Sequence, residues 1–206
     1  MTSTAAPISP TPPAGVPGHL IVLVGPSGVG KSTIAGKLAE QMHLKYIVSA
    51  TTRKQSEADK LGKTYEYVDT ATFHRKLDQG EFLEYAKVFD EYYGTPKRPT
   101  LDYLASGQDV LLEIDVQGAL QVRFQYPDAL VIFILPPDEA SLLHRLRHRN
   151  RDSDEAIEKR YRGAKREIWM AKGSRAFDDM VINDSVDRAV GEIACLIRQK
   201  KSPGGI

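Results

Sequence analysis

The chain has 206 residues, of which 41% are hydrophobic and 27% charged, and its formal net charge is +1. That length suits one substantial core with inserted segments, and the composition is that of a globular protein, not a fibrous or disordered one. The near-neutral charge creates no global field for a nucleic-acid partner, and no apolar run approaches the roughly 18 residues of a membrane-spanning helix.

Residues 1–18, MTSTAAPISPTPPAGVPG, are rich in Pro, Ser, Thr and Ala and have neither the basic start nor the apolar stretch of a secretory signal. They read as a disordered tail. LIVLV, residues 20–24, reads as a strand running into a glycine-bearing loop. Residues 31–42 read as a helix, with Ile34, Leu38 and Met42 on one face. YIVSA, residues 46–50, predicts a second short strand. Residues 51–107 are too many for a simple crossover; their aromatic pieces TYEYV, EFLEYAKVF and YYGTP predict a small antiparallel or mixed sheet in an insert. DVLLEID, LVIFILPP and DMVIND then predict strands, the first two with the continuous apolar pattern of strands buried on both faces. Helical patterns cover 116–125, 138–149, 153–171 and 185–200, and SPGGI at 202–206 reads as a frayed end. The alternation predicts an α/β fold with a central parallel sheet flanked by helices. The single cysteine, Cys195, lies in the apolar run IACLI and is expected to be a buried thiol, consistent with a reducing compartment.

Gly25-Pro26-Ser27-Gly28-Val29-Gly30-Lys31-Ser32, followed by Thr33, matches the phosphate-loop pattern G-x-x-x-x-G-K-[ST] between an expected strand and an expected helix. Glycines let successive backbone N–H groups turn inward around phosphate oxygens, and the positive end of the following helix faces the same anion. Lys31 adds a point charge toward the β- and γ-phosphates, and Ser32 a hydroxyl ligand for Mg²⁺. The loop implies a nucleoside triphosphate and leaves the acceptor open.

Arg145, Arg147, Arg149, Arg151, Arg160 and Arg162 fall within eighteen positions. Arg145 and Arg149 share a helical face, and Leu142, Leu143 and Leu146 make the apolar side. A solvated face, an RNA-binding stripe or a cationic lid for phosphoryl transfer all suit such a run. His144 and His148, also four apart, have zinc-compatible spacing, but the surrounding arginines repel a dication.

Four stretches, SATTRK, GKTYEYV…EFLEYAKVFDEYYGTP, LLEIDVQG and VINDS, together with the glycine loop and the arginine segment, resemble the guanylate kinases of the nucleoside monophosphate kinase group from about Leu20 to Ile197. The resemblance implies a core of residues 19–50, 108–137 and 172–201, a GMP-binding insert at 51–107 and a helical lid at 138–171. It implies that Ser49, Arg53, Tyr65 and Tyr93 hold the phosphate of GMP. Glu84 would accept from the guanine N1–H and amino group, and Thr95 would donate to O6. Glu113 stands where the family has an Asp near the guanine amino side. Asp115 borders the GMP site and would hold Mg²⁺ through water, with Ser32 as the direct ligand. Lys31, Arg145, Arg149 and Arg160 would be the catalytic cations, Arg147 and Arg151 would face solvent, and Asn183 would lie near adenine.

The implied reaction is Mg²⁺-dependent transfer from ATP to GMP or dGMP in the cytoplasm, with small-molecule substrates and neither nucleic acid nor membrane as partner. In one respect the chain departs from the family. The usual Pro-Arg-x-Gly-Glu run after Arg53 is missing, and its arginine position is Ser56, with Lys54 and Lys60 the nearby cations. A lost charge-assisted contact is worth about 1.5–3 kcal/mol, so weaker GMP binding than in a typical relative is expected. Two other readings stay open: a non-catalytic guanylate-kinase-like interaction module, and a P-loop kinase of another small acceptor.

Overall fold

The structure, a computed structural model, describes residues 17–55, 65–148 and 153–202. The sequence-assigned tail through residue 16, Ser56, Lys60, Arg149, Arg151 and residues 203–206 lie outside them.

Five strands form a parallel sheet in the order β2 (Lys45–Tyr46), β7 (Val110–Glu113), β1 (Leu20–Val24), β8 (Leu130–Leu135) and β9 (Asp179–Ile182). All five residues of β1 are buried, as expected of a central strand covered on both faces. On one side lie α1 (Lys31–Met42) and α7 (Val186–Lys201), packed through Ile34, Leu38, Ile193 and Ile197 against Ile21, Leu23 and Ile132. On the other lie α3 (Lys97–Ala105), α4 (Val116–Gln125) and the end of α6 (Asp154–Lys172), around Val22, Val24, Leu112 and Phe133. Ligands in such sheets bind beyond the carboxyl ends of the strands, where the glycine loop follows β1 and Asp115 follows β7.

Between β2 and β7 a second, mixed sheet forms in the order β4 (Tyr65–Tyr67), β3 (Ser49–Thr51), β6 (Glu91–Pro96), β5 (Phe82–Val88). Here β3 and β4 are parallel and the other pairings antiparallel. Helix α2 (Thr70–Asp78) closes this sheet by stacking Phe73 on Phe82 and Tyr92, with ring centroids 4.6 and 5.4 Å apart. The remaining helix, α5 (Glu139–Arg147), pairs with α6 around a small core of Leu142, Leu146, Ile157 and Ala164.

Three expectations require correction. YIVSA is not one strand: Tyr46 ends β2 in the parallel sheet, and Ser49 begins β3 in the mixed sheet. Its apolar continuity reflects Ile47, buried and bonded through its N–H to Leu111 O at 3.1 Å, not a single ladder. The aromatic segment also carries two helices, α2 capped by Asp69 and α3 starting after Pro96. Cys195 is exposed. The buried face of α7 runs through Ala189, Val190, Ile193, Ala194 and Ile197, and helical period turns residue 195 off that stripe.

The two ends of the described chain are fastened to one side chain. Asp109, just before β7, accepts from the His19 backbone N–H at 2.8 Å and from Lys201 Nζ at 2.6 Å. Burial alone would raise its pKa, but these contacts hold it below the usual carboxylate value. Among the described residues no helix is long and apolar enough to cross a membrane.

Candidate active site

A cavity of about 550 Å³ opens between the glycine loop, the mixed sheet and α6. At its floor the loop takes the positive φ angles its glycines permit, 85° at Gly28 and 99° at Gly30. Gly30 has a second constraint: a Cβ there would sit 2.5 Å from Asn183 Nδ2. That amide donates to Val29 O at 2.7 Å, and Arg145 donates to Val29 O at 3.1 Å and Asn183 O at 2.8 Å. Arg145 and Asn183 therefore brace the back of the loop, and neither lines the cavity. Gly25, Pro26, Ser27, Gly28, Gly30, Lys31 and Ser32 do line it; Val29 is fully buried beneath, and Thr33 faces solvent. The Lys31 ammonium donates to the carbonyls of Gly25 and Pro26, curled over the loop it serves.

The opposite wall comes from strand register. Ser49 is paired with Tyr65 across β3 and β4, and Glu84 with Thr95 across β5 and β6. Each pair brings residues from distant segments side by side. Ser49, Arg53, Tyr65 and Tyr93 line one side of the cavity. The Arg53 guanidinium lies over the Tyr65 and Tyr67 rings at 5.4 and 5.7 Å, and Tyr65 meets Tyr93 edge to face at 5.7 Å. These contacts hold the guanidinium fork at the cavity edge with its cation facing ring π-clouds.

Glu84 is the most confined acid of the site, only 4% exposed. Thr95, fully buried behind it, donates to Glu84 Oε1 at 2.5 Å, and Ser49 Oγ lies 3.5 Å from the same hydroxyl. Burial, with Asp115 nearby, pushes the Glu84 pKa up to about 7 despite the Thr95 bond. Its other oxygen packs on Gly118 of α4, where a Cβ would fall 2.2 Å away. Glycine at 118 is what lets the carboxylate fit. Thr95 has one hydroxyl proton, and here it lies on Glu84 and not toward the cavity.

Between the two walls stand Glu113 and Asp115. Glu113 accepts a hydrogen bond from Ser32 Oγ at 2.8 Å and another from Tyr46 Oη at 2.6 Å. Asp115 caps α4, accepting from the Gly118 N–H at 2.8 Å. Burial raises its pKa, opposed by that N–H and by Lys31. Ser32, Glu113 and Asp115 offer hard oxygens beside Lys31, a donor set that suits Mg²⁺. No cluster of three or more His, Cys, Asp and Glu with metal-binding arrangement occurs among the described residues. Mg²⁺ needs none, since it is held by one or two carboxylates with water and substrate phosphates.

The roof is α6. Arg160 lines the cavity as anticipated, and Glu167 joins it. Glu167 escaped sequence reading; its only signal was a spacing of seven from Arg160, two helical turns on one face. Burial pushes its pKa up to about 7, with Lys31 lowering and Asp115 raising it. Phe89, at φ 55° in the β5–β6 turn, lies 5.8 Å from both Lys159 and Arg160, and Asp90 bonds Lys159 at 3.2 Å. The mixed sheet and α6 thus touch at the cavity mouth. His144 of α5 and His148, which caps that helix, stack on each other at 3.8 Å, away from the cavity.

Comparison with known proteins agrees with this geometry. Residues 18–200 match the family model described as guanylate kinase. A guanylate kinase of Caldanaerobacter subterraneus is 45% identical over 186 residues, covering 89% of this chain and 88% of the relative. One from Thermus thermophilus is 40% identical over 191 residues, covering 93% and 84%. The crystal structure of guanylate kinase from Anaplasma phagocytophilum superposes with a TM-score of 0.76 at 31% identity, over 92% of this chain and 89% of that one. A shikimate kinase from Bacteroides thetaiotaomicron, 15% identical with a TM-score of 0.51 over 87% and 98%, shares the fold alone. By family model, sequence identity and superposed structure, the chain belongs to the guanylate kinase family.

Proposed function

We propose that the cavity takes ATP at the glycine loop and GMP, or dGMP, at the mixed sheet, and moves the γ-phosphoryl group between them to give ADP and GDP. The observation that carries this reading is the buried Glu84, bonded to Thr95 behind it and lining the same cavity as the loop. A carboxylate buried there calls for donors, and guanine supplies two on one edge, N1–H and the amino group. Adenine presents an acceptor at N1 instead and would leave Glu84 unpaired, a mismatch that sites of this kind reject by about ten-thousandfold or more. Thr95 rotates its proton to O6 once guanine donates to Glu84. Ser49, Arg53, Tyr65 and Tyr93 take the phosphate, the Arg53 fork meeting two oxygens at once. Glu113 and Asp115 border both substrates.

Residues 51–107 act as the acceptor insert and 138–171 as the lid. The acceptor is already an anionic phosphate, so no strong general base is required; catalysis is positioning and charge stabilisation. Lys31 and Arg160 stabilise charge on the transferred group, while Arg145 keeps the loop in shape and joins them with Arg149 when the lid closes. Ser32 and, through water, Asp115 would hold the Mg²⁺ that accompanies ATP, which would neutralise phosphate charge there. Closure of α6 excludes water, which otherwise takes the phosphoryl group. A cytoplasmic setting accompanies these substrates.

Steady-state assays with GMP, dGMP, AMP, CMP and UMP test the reading. Turnover of GMP and dGMP alone is expected. Turnover of another monophosphate in preference to GMP points to a kinase of a different acceptor, and ATP binding without any turnover points to an interaction module.

A further inference from the structure

Tyr46 belongs to neither nucleotide wall, yet it ends a hydrogen-bonded chain that reaches the glycine loop. It closes β2 at the edge of the parallel sheet, in register with Leu111 of β7. Two residues on in β7, Glu113 turns its carboxylate across the strand end, where Tyr46 Oη donates to one oxygen at 2.6 Å and Ser32 Oγ to the other at 2.8 Å. The carboxylate is thereby gripped at both oxygens, by a residue 67 positions before it and another 81 positions before it.

The direction of the Ser32 bond has a chemical consequence. A serine hydroxyl has one proton and two lone pairs. A cation needs a lone pair, and a hydroxyl that turns its proton into the cavity repels it. With the proton held by Glu113, both lone pairs of Ser32 are left for the cavity side. Glu113 can hold that proton in one direction only if its own carboxylate does not swing. Ser32, exposed in the first turn of α1, grips only one of the two oxygens, whereas Tyr46, set in the sheet and packed against the core, fixes the other. Outer partners of this kind commonly change metal affinity by about 10- to 100-fold when removed.

We propose that Tyr46 is a positioning residue for the donor end: through Glu113 it orients the Ser32 hydroxyl so that its lone pairs face the Mg²⁺ of the bound nucleotide. The proposal rests on the assignment of the glycine loop to a Mg-nucleotide and is independent of which acceptor the mixed sheet takes. Burial and the Glu113 charge push the Tyr46 phenol well above its usual range, so it remains a donor throughout the working pH range.

Tyr46→Phe keeps the ring and removes only the hydroxyl. Calorimetry of the full-length protein with ADP, with and without Mg²⁺, reads the effect without an acceptor or turnover. The factor by which Mg²⁺ tightens ADP binding is expected to shrink about tenfold in Tyr46→Phe, while affinity for metal-free ADP and for GMP stays as in the wild type. In assays the same variant should need more Mg²⁺ for half-maximal rate at unchanged GMP KM. In the Ser32→Ala background, adding Tyr46→Phe should cause no further loss of the Mg²⁺ effect, because Tyr46 acts through Ser32. Should Tyr46→Phe fold poorly, Glu113→Gln, which has a single acceptor oxygen for the two hydroxyls, is expected to shrink the Mg²⁺ factor alike, read with ADP alone because Glu113 borders both substrates. An unchanged Mg²⁺ factor, an equal weakening of ADP with and without metal, or additive losses with Ser32→Ala would each overturn the proposal. Failure of ADP to bind the wild-type protein at all would instead sink the donor assignment beneath it.

Discussion

The glycine loop and the mixed sheet build opposite walls of one cavity by different means. The loop works with backbone: its shape comes from positive φ angles at Gly28 and Gly30 and from bracing at Val29 by Asn183 and Arg145. Nothing in it distinguishes one triphosphate-using reaction from another, and a shikimate kinase shares the surrounding fold at 15% identity. The mixed sheet works with side chains brought together by register, Ser49 with Tyr65 and Glu84 with Thr95. Backbone N–H groups can hold any phosphate, so the generic end is contiguous in sequence. Choosing a base takes donors and acceptors at fixed places, so the selective end is scattered over several strands.

If this division holds, damage to the loop should hit all acceptors alike, and damage to the sheet should hit GMP alone. The largest effect is expected for Lys31→Met: loss of the charge proposed to stabilise the transferred phosphoryl lowers kcat/KM on the order of a thousandfold with every acceptor, at nearly unchanged GMP affinity. A rise in GMP Kd of similar size would break the comparison. Next comes Glu84→Gln, removing a charge-assisted pair worth about 1.5–3 kcal/mol, or roughly 10- to 150-fold in kcat/KM for GMP. Calorimetry should find ADP affinity intact in this variant. Gly118→Ala is subtler. Its Cβ would fall 2.2 Å from Glu84 Oε2, so it should damage the guanine end from inside α4 without touching a substrate. Overpacking of about 1–3 kcal/mol should lower Tm, and a GMP KM about tenfold higher is expected at unchanged ADP affinity.

The smallest expected effect is on pH dependence. Burial raises Glu84 from 4.5 to about 7, so within that window the unfolded chain has released the proton while the folded chain retains it. The stability Glu84 contributes is therefore full below about 4.5 and is lost as pH rises through about 7. On the proposed reading GMP acts in the opposite direction: its N1–H and amino group would bind the carboxylate, so GMP affinity should weaken a few-fold as pH falls through about 7. The GMP phosphate itself titrates near about 6, but that component persists in Glu84→Gln. Equal pH profiles in the two proteins would remove Glu84 from guanine recognition.

Legibility in the sequence followed the same division. The loop, β1 and α1 were readable because a contiguous motif and a local period carry them, and α1 begins and ends where expected. The fold class followed from alternation of apolar strands and amphipathic helices. Inside the mixed sheet the aromatic strands were visible, but α2 and α3 were not: their apolar faces are short, and strand-forming aromatics on either side dominate the composition. The passage of YIVSA from one sheet to the other left no local mark, because both sheets bury the same kinds of side chain. Roles for Ser49, Arg53, Glu84 and Thr95 were suggested only by family resemblance. Gly118 and Tyr46 were invisible, since what makes them matter is a contact with a residue far away in the chain, Glu84 for one and Glu113 for the other.

Asp109 adds a consequence of another kind. Because His19 and Lys201 both bond to that one carboxylate, the described residues end beside where they begin. A short linker could join these ends, and a new opening could be made at Gly80, which sits in the α2–β5 turn with no heavy atom within 4 Å of an added Cβ. Such a circular permutant keeps every strand pairing while beginning inside the mixed-sheet wall. Its activity would show that the two walls depend on where residues meet and not on the order in which the ribosome makes them.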